Sequence, residues 1–442
     1  MAIRGEAMAE PAARGRAVGA PAGTSAGASP HAAATQGGGL LDGIRVVDMT
    51  GVVFGPVATQ MLADYGADVI KVEPPLGDTV RNAGVARHRG MGAIFLNLNR
   101  GKRSIALDLA KPAAREVLRR LLAGADLFVH NVRREPIARL GFAPADVLAL
   151  NPSILYCWAT GFHADSTLAR EPAIDDSIQA AAGLADLNRG ADGVPRFVPA
   201  LIADKTAGYA LASAMLAALV RRLRTGRGGV VDVPMYDTIA SFLLVEHLQG
   251  HTFEPATGKA GYLRVAGDGR RLYRARDGWL TMTPYTLQQW RAFFEAIGRP
   301  DMLEDRRVTD PVERNRSIQQ LYDMVEAAAP QRTVDEWIAL ARAWGIPAFR
   351  IADMDEVARD PALAVSGAIA QVEHPSEGAV RMLAAPGFFD GAPARASGPA
   401  PLLGQHTVEV LRGLGYDDRQ IDALLAEQAA IAPISPTRNP PA

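Results

Sequence analysis

The amino-acid sequence predicts an α/β protein with a doubly wound, mostly parallel sheet and a smaller α+β domain. Residues 43–73 have the pattern of a strand, a glycine-containing turn, a helix and a second strand. Further apolar strands and helices alternate up to about residue 235, which is typical of a parallel sheet covered by helices on both faces. The chain of 442 residues is also longer than one compact core usually requires, which indicates two domains.

The segment 43–73, GIRVVDMTGVVFGPVATQMLADYGADVIKVE, predicts the first βαβ unit. Residues 44–48 and 69–72 are β-branched runs typical of strands. Gly51 and Gly55 bracket a turn between them, and a helix is expected over residues 57–65. The N-terminus of a helix that starts from such a turn is suited to binding the phosphates of a nucleotide-like ligand.

The alternation continues after this unit and favours an open, Rossmann-like sheet. We expect the helices and strands in chain order as follows: a strand at 104–109, a helix at 111–123, a strand at 126–131, short helices at 136–140 and 144–150, a strand at 154–160, helices at 175–187 and 204–223, and a strand at 230–235.

The composition changes after about residue 255, where the chain becomes rich in glycine and arginine. This change predicts a linker followed by a smaller domain, before the chain returns to the large one. The expected organisation is a disordered Ala/Gly/Pro-rich tail at 1–39, a large domain at 40–225, a linker at 226–260, a small domain at 261–345, a return to the large domain at 346–430, and a flexible end at 431–442.

Composition and charge argue against several functional classes. The formal net charge is −1, so no basic surface for nucleic acid or an anionic membrane is predicted. Cys157 is the single cysteine, which excludes an intrachain disulfide and a cysteine-based zinc site; no metal site is predicted. No apolar run is long enough to span a bilayer, and the tail lacks the apolar centre of a secretory signal. We therefore expect a cytoplasmic protein.

The turn GVVFGP raises the possibility of a dinucleotide cofactor. The dinucleotide fingerprint needs G-x-G-x-x-G and an acidic residue at the end of the next strand. Glu73 occupies that strand end, but only Gly51 and Gly55 of the glycines are present. A plain strand-to-helix turn is the alternative that this pattern favours over NAD.

Two further features suit an anionic or acyl substrate. The run NRGKRS, residues 99–104, places three cations within four positions at a strand start, which suits an anionic ligand; a solvated basic turn is the alternative. Asp204 follows an apolar run and begins a long apolar helix. On its own it is best interpreted as a helix N-cap, although a carboxylate held at that position also suits a nucleophile.

Together these segments resemble the class III CoA-transferases of the CaiB/BaiF type. This family includes formyl-CoA transferase, carnitine- and bile-acid-type CoA-transferases and α-methylacyl-CoA racemase. The resemblance extends from about residue 40 to about 428, and its most diagnostic segments are NRGKRSIALDL and LLGQHT. The other matching segments are the one at 43–73, GDTVR, PALIADKTAG, RTGRGGVVDVPM and GIPAFRI.

The resemblance implies a covalent mechanism that needs no permanently bound cofactor. In the family's transferases an aspartate attacks the thioester carbonyl of an acyl-CoA, which gives a mixed anhydride and free CoA. The acceptor acid then exchanges in through an aspartyl-CoA thioester. The family's aspartate falls on Asp204, so the resemblance favours the nucleophile over the N-cap.

The family's CoA contacts fall on six positions of this chain. The resemblance implies contacts from the first turn, from the basic strand start, from a strand end and from a following helix. Two departures stand out: Val53 replaces a residue that is often polar, and Pro74 replaces a basic one. The implied contacts are Val53, Phe54, Lys102, Arg103, Asn131 and Arg139.

The racemase branch of the family needs a His–Asp pair, and the histidine position falls on Ile174. Isoleucine cannot exchange a proton, which disfavours racemisation. Asp175 is expected to orient the substrate or to lie behind the residues that contact it, with an N-cap as the equal alternative. Gln179 lies one helical turn later on the same face. No glycine-rich gating loop is found in 255–278, which favours an acyl group larger than formate or oxalate.

The leading hypothesis is therefore a CoA-transferase that acts on an acyl-CoA and a carboxylic acid. The resemblance also implies an interlocked homodimer. An acyl-CoA racemase or isomerase of the same fold, an NAD-dependent dehydrogenase and a non-catalytic CoA-binding protein remain as alternatives. The racemase or isomerase would exchange the α-proton and the dehydrogenase would transfer a hydride. The CoA-binding protein would form no covalent adduct at Asp204.

Overall fold

The structure is a computed structural model that describes residues 39–433, except residues 191, 263, 264, 266–270 and 397. Residues 1–38 of the tail predicted at 1–39 and residues 434–442 of the flexible end predicted at 431–442 lie outside the described residues, whereas Ile431 belongs to a strand. The strands within the described residues are β1 (Arg45–Met49), β2 (Asp68–Glu73), β3 (Arg103–Leu107), β4 (Leu127–His130), β5 (Leu155–Thr160), β6 (Gly229–Pro234), β7 (Tyr273–Arg274), β8 (Trp279–Met282), β9 (Ala348–Arg350), β10 (Ile369–His374), β11 (Gly378–Leu383), β12 (Phe388–Phe389), β13 (Ala392–Pro393) and β14 (Ala430–Ile431).

Eighteen α-helices lie within the described residues. Within the described residues they are α1 (Phe54–Asp64), α2 (Ala93–Leu98), α3 (Pro112–Ala123), α4 (Arg134–Arg139), α5 (Pro144–Leu150), α6 (Asp175–Ala181), α7 (Leu184–Leu187), α8 (Ile202–Thr225), α9 (Met235–His247), α10 (Leu287–Ala296), α11 (Arg306–Thr309), α12 (Pro311–Arg316), α13 (Ile318–Ala328), α14 (Val334–Ala343), α15 (Met354–Ala358), α16 (Pro361–Val365), α17 (Thr407–Gly413) and α18 (Asp418–Ala426).

A seven-stranded sheet organises the fold, in the order β14-β3-β2-β1-β4-β5-β6. All neighbouring strands are parallel except β14, which pairs antiparallel with β3. The prediction of a mostly parallel central sheet is confirmed. The order of the strands reverses between β1 and β4, and ligands of such sheets bind beyond the carboxyl ends of the strands at this reversal.

Helices cover both faces of this sheet because successive strand residues point to opposite sides. Val46 of β1 joins the core beneath α1 and α8, whereas its neighbour Val47 joins the core beneath α3 and α5. In β5, Cys157 likewise belongs to the core beneath α1 and α8, and its neighbour Tyr156 belongs to the core beneath α3 and α5. The strands are therefore apolar on both faces, as expected for a buried parallel sheet.

A third hydrophobic cluster forms around the antiparallel sheet β7-β8-β9 and the helices α10, α13 and α14. Its centre contains the aromatic rings of Trp290, Phe293 and Trp337, all fully buried. Phe293 stacks on Trp337 with ring centroids 6.1 Å apart. The cluster extends from Tyr273 to Ile346, with Ala348 at its edge.

The span 226–260 is not the linker that the sequence predicted. It contains β6 and the thirteen-residue helix α9. Ile239 and Leu243 of α9 belong to the core beneath the central sheet. The helix was missed because Phe242, Leu244 and Val245 place apolar side chains on its other faces as well, so it lacks a clear amphipathic period.

Among the described residues, none of the helices combines the length and the apolar character that crossing a membrane requires.

Candidate active site

The turn after β1 lies at the reversal of the strand order, and we call residues 50–53 the β1 turn. Asn131, directly after β4, accepts a hydrogen bond from the Gly51 N–H (3.1 Å) and donates one to the Gly51 carbonyl (2.9 Å). A Cβ atom at Gly55 would lie 2.4 Å from the Cβ of Thr50. Only glycine therefore allows α1 to start directly against the β1 turn.

A buried ion pair fixes the other side of the β1 turn. The Lys71 ammonium donates to the Thr50 carbonyl (2.8 Å) and to Oδ2 of Asp78 (3.0 Å). The other oxygen of Asp78, Oδ1, accepts from the N–H of Val52 (3.1 Å) and of Val80 (3.2 Å). Both side chains of the ion pair are at most 2% exposed, so solvent does not screen this interaction.

A cleft of about 400 Å³ opens beyond the carboxyl ends of β1, β2, β3 and β4. This volume lies within the range of small-molecule and cofactor sites. Its walls include Val52 of the β1 turn, together with Pro74, Asp78, Leu109 and Asn131. The cleft therefore occupies the position that the strand order predicts for a ligand.

Asp204 lies in the first turn of α8 and is not its N-cap. The helix begins at Ile202, and Leu201 occupies the N-cap position without a side-chain hydrogen bond. The Asp204 carboxylate has no hydrogen-bond donor and no ion-pair partner among the described residues, although the residue is only 8% exposed. The N-cap alternative for Asp204 is wrong, because its carboxylate does not cap this helix.

Asp175 and Gln179 support the backbone at the start of α8. Oδ2 of Asp175 accepts from the Asp204 N–H (3.0 Å), and Nε2 of Gln179 donates to Oδ1 of Asp175 (2.6 Å). Oε1 of Gln179 accepts from the Val198 N–H (2.9 Å). The structure thus brings the three predicted residues together. Asp175 is not the N-cap of α6 either, since that position belongs to Ile174.

The electrostatic environment of Asp204 disfavours its ionised form. Burial, followed by the negative charges of Asp175 and Asp176, raises the pKa of Asp204 from its ordinary value of 3.8 to about 6. Such a carboxylate is poorly solvated and carries no stabilising cation, which increases its reactivity once it is ionised. Asp204 is therefore a candidate nucleophile on structural grounds.

The first turn of α1 connects the cleft with α8. A Cβ atom at Gly208 would lie 2.7 Å from the Cβ of Val57 and 2.9 Å from the Phe54 carbonyl oxygen. Gly208 is four residues after Asp204 and lies on the same helical face. The close approach at this glycine therefore places the end of α8 that contains Asp204 beside the helix that follows the β1 turn.

The predicted CoA contacts of the first turn are only partly accessible. Val53 and Phe54 are 3% and 5% exposed, so a ligand can reach little of either residue. Val52, which the sequence analysis passed over, is 48% exposed and lines the cleft. Asn131, whose contact with CoA stays a prediction, also lines the cleft and additionally holds Gly51.

The basic segment NRGKRS does not face a ligand, because each of its three cations pairs with a different aspartate. Arg100 binds Asp64, Lys102 binds Asp48 and Arg103 binds Asp68.

Lys102 is not available for the predicted contact with CoA. Its fully buried ammonium uses all three N–H groups on Oδ2 of Asp48 (2.9 Å), Oγ1 of Thr59 (2.8 Å) and Oδ1 of Asn99 (3.0 Å). Arg103 donates three hydrogen bonds from Nε and Nη2 to Asp68 and a fourth, from Nη1, to Glu409. It would have to leave these acids to bind a phosphate.

Arg139 keeps its guanidinium available. It is the last residue of α4, it is exposed, and within the part of the chain that the structure describes it has no ion-pair partner. A cation at a helix C-terminus is also favourably placed with respect to the helix dipole. Of the predicted cationic contacts, Arg139 is therefore the one free to meet a phosphate.

Glu73 is a structural residue, and the sequence analysis missed its partners. It binds Arg81 through two hydrogen bonds of 2.7 Å and accepts a third from the Ser104 hydroxyl (2.7 Å). Ser104 also accepts from the Gly404 N–H (3.0 Å), and its own N–H donates to Nδ1 of His406 (3.1 Å). The segments GDTVR, NRGKRS and LLGQHT thus meet around Glu73, which leaves it no role as a ribose ligand.

The described residues contain no group of three histidine, cysteine, aspartate or glutamate side chains arranged to hold a metal ion.

Comparison with known proteins identifies the family. Residues 41–407 match CoA-transferase family III. The chain is 30% identical over 387 residues to a "Probable fatty acyl-CoA transferase" of Mycobacterium tuberculosis, which covers 84% of this chain and 97% of that protein. It is 31% identical over 414 residues to the formyl-CoA:oxalate CoA-transferase of Escherichia coli O157:H7, which covers 88% of this chain and 99% of that protein.

Solved structures give the same result. The crystal structure of the M. tuberculosis protein superimposes with a TM-score of 0.74 at 30% identity, over 84% of this chain and 99% of that chain. A CaiB/BaiF family protein from Brucella suis superimposes with a TM-score of 0.72 at 28% identity, over 86% of this chain and all of that chain. The central sheet, the cleft at its strand reversal and the sequence match agree, and the chain belongs to CoA-transferase family III.

Proposed function

We propose that this protein is a CoA-transferase that moves CoA from an acyl-CoA donor to a carboxylic acid acceptor, with Asp204 as the nucleophile. The observation that carries this proposal is the Asp204 carboxylate itself. It is buried, it has no hydrogen-bond donor or cation within the described residues, and its backbone is held by Asp175. Membership of family III supports CoA thioesters as the substrates.

The reaction is a sequence of acyl and thiol exchanges at one carboxylate. The ionised Asp204 oxygen attacks the thioester carbonyl, the C–S bond breaks, and CoA leaves as the thiolate. The thiolate then attacks the Asp204 carbonyl carbon of the mixed anhydride, which releases the donor acid and leaves an aspartyl-CoA thioester. The acceptor carboxylate repeats the two steps in reverse, which gives the new acyl-CoA and restores Asp204. Splitting the transfer in this way avoids one difficult direct exchange.

Asp175 and Gln179 act as positioning residues in this scheme. Their hydrogen bonds hold the Asp204 backbone and the segment before α8 in one arrangement. The negative charge of Asp175 also contributes to the raised pKa of Asp204. A higher pKa makes the carboxylate a stronger nucleophile when it is ionised, and it makes the aspartyl group a poorer leaving group in the anhydride.

The CoA molecule is proposed to lie in the cleft at the strand reversal. Gly51 and Val52 of the β1 turn and Asn131 line this cleft. Arg139 supplies a positive charge for a phosphate. Pro74, where a basic residue is common in the family, lines the cleft without a charge, so fewer cations of this chain are available to CoA.

We also propose a homodimer, supported by the apolar surface of α9 and the segment after it. Phe242, Val245 and Phe253 are 54%, 85% and 59% exposed. Large apolar groups concentrated on one segment are typical of a subunit interface. Light scattering coupled to gel filtration should give twice the chain mass, and a monomer at micromolar concentration would contradict the proposal.

Trapping the covalent intermediate tests the nucleophile directly. The protein is incubated with a panel of acyl-CoAs, treated with hydroxylamine, and digested for mass spectrometry. We expect a hydroxamate on the peptide that contains Asp204, formed only with acyl-CoAs that serve as donors. Asp204→Ala should form none, whereas the exposed Asp186→Ala should behave as the wild type.

Two other outcomes would overturn the proposal. A hydroxamate on a different residue would move the nucleophile elsewhere. The absence of any adduct, together with deuterium exchange at the α-carbon of the acyl group, would assign a racemase or isomerase.

A further inference from the structure

The β1 turn contains a strained residue at the wall of the cleft. Val52 has a φ of +69°, in the left-handed region that β-branched residues rarely adopt. It is also 48% exposed, so packing of its own side chain does not impose this conformation. Backbone strain of this kind persists only where the surrounding structure holds it, and it concentrates at functional sites.

The groups that hold Val52 are identifiable. Its N–H donates to Oδ1 of Asp78, and the neighbouring Thr50 carbonyl accepts from Lys71. Asp78 and Lys71 are joined to each other and almost fully buried. This pair therefore contacts the β1 turn at two points, on either side of the Gly51 backbone that Asn131 holds.

The ion pair is itself anchored away from the ligand. The Asp78 N–H donates to Oε2 of Glu73 (3.0 Å), and Glu73 is fixed by Arg81. The position of the β1 turn is thus set by the interior of the protein. Asp78 is one of the residues that line the cleft, but it is only 6% exposed. Its carboxylate is occupied by the backbone N–H groups of Val52 and Val80 and by Lys71.

We propose that Asp78, held by Lys71, is a positioning residue that keeps Val52 in the left-handed conformation and so shapes the wall of the CoA cleft. This inference rests on the proposed function. It predicts a role in CoA binding rather than in the chemical steps at Asp204. The residue does not touch the reacting atoms, and its effect passes through the backbone of the β1 turn.

The test is a double-mutant cycle between Asp78→Asn and Val52→Gly. Asparagine has one carbonyl oxygen, which cannot serve both Lys71 and the N–H of Val52 and Val80. Glycine adopts positive φ without strain, so it no longer needs the hydrogen bond. We expect Asp78→Asn to raise the Kd for CoA and the KM for acyl-CoA about tenfold, with kcat changed less than about threefold, and Val52→Gly to restore most of the affinity.

Asp64→Asn is the matched control, because Asp64 is a buried carboxylate paired with Arg100 at the other end of α1. The CoA affinity of this variant should be within about twofold of the wild-type value. Equal losses from Asp78→Asn in the wild-type and Val52→Gly backgrounds, measured by calorimetry with CoA, would overturn the proposal. A wild-type protein that binds no CoA would instead refute the proposed function, and the inference with it.

A second pair of variants covers the case in which Asp78→Asn does not fold. Val52→Pro fixes φ near −65° and removes the N–H, whereas Val52→Gly keeps the left-handed conformation. Because Val52 is exposed, both are expected to fold. We expect Val52→Pro to bind CoA at least tenfold more weakly than Val52→Gly does; similar affinities for the two variants would overturn the proposal.

Discussion

Two groups of buried carboxylates in this protein differ in one respect, which is the presence of a cation. Asp48, Glu73 and Asp78 each contact a buried lysine or arginine. Asp204 and its neighbour Asp175 have no such partner among the described residues. Burial is similar in both groups, at most 8% exposed.

The difference appears in the pKa values. Burial alone would raise the pKa of Asp48, but Lys102 and Lys71 hold it well below its ordinary range. Hydrogen bonds from Arg81 likewise keep the pKa of Glu73 low against the effect of burial. Asp204 has no cation, and its pKa rises to about 6. Asp48 and Glu73 therefore stabilise the fold through their cations, whereas Asp204 is the proposed nucleophile.

The largest effect is expected at the unpaired group. Asp204→Ala should lower the rate of CoA transfer by at least about 10³-fold, because every proposed covalent step passes through this carboxylate. The fold should be retained, since no cation is left unpaired. Transfer rates and circular dichroism test this, with Asp186→Ala as the matched control. A loss of less than about tenfold in the transfer rate would show that Asp204 has no more of a catalytic role than the paired carboxylates have.

At the paired group the expected effect is on stability. Glu73→Ala should lower the free energy of unfolding by about 3–5 kcal/mol, because it leaves Arg81 buried without its partner. Guanidinium denaturation measures this change. A loss below about 1 kcal/mol would mean that the pairing around Glu73 contributes little, and Asp186→Ala should fall within about 0.5 kcal/mol of the wild type.

Neutralising Asp204 should increase the free energy of unfolding, whereas Glu73→Ala should lower it. Its folded pKa of about 6 lies above the ordinary 3.8, so the folded state binds the proton more tightly and loses stability as pH rises through this interval. Asp204→Asn should therefore stabilise the protein by about 3 kcal/mol at pH 8 and by only about 0.5 kcal/mol at pH 4. Thermal denaturation at the two pH values tests this; an equal change at both would contradict the assignment of the pKa.

The smallest expected effect is a shift in the pH dependence of the reaction when the negative charge of Asp175 is removed. In the wild type, kcat/KM should rise with pH through about 6 as Asp204 ionises. Asp175→Asn removes a neighbouring negative charge but keeps an acceptor for the Asp204 N–H, so the midpoint should fall by about half a pH unit. A pH–rate profile for each variant tests this, and an unchanged or higher midpoint would exclude electrostatic coupling between the two.

Much of the central fold was accessible from the sequence, because strand and helix periods alternate clearly up to β6. The parallel sheet follows from that alternation. The edge strand β14 has only two residues, Ala430 and Ile431, which is too short for any periodic signal. Helix α9 was missed because its apolar residues lie on all of its faces.

The candidate site was less accessible, since partners distant in sequence decide what each charge does. The spacing of Asp175 and Gln179 indicates one helical face, but nothing local indicates that Asp175 reaches the Asp204 N–H, 29 residues away. The segment NRGKRS has the pattern of a ligand site or a solvated turn. Lys102 is buried because Asp48, 54 residues earlier, supplies the opposite charge.

The antiparallel pairing of β14 has a consequence for synthesis of the protein. Leu107 and Ala106 of β3 pair with Ala430 and Ile431, which emerge from the ribosome about 15–65 s later at about 5–20 residues per second. During that interval the outer edge of β3 is uncovered, and an open strand edge can pair with another chain. Completion of the sheet therefore waits for the synthesis of residues 430–431, and until then the edge of β3 is open to pairing with other chains.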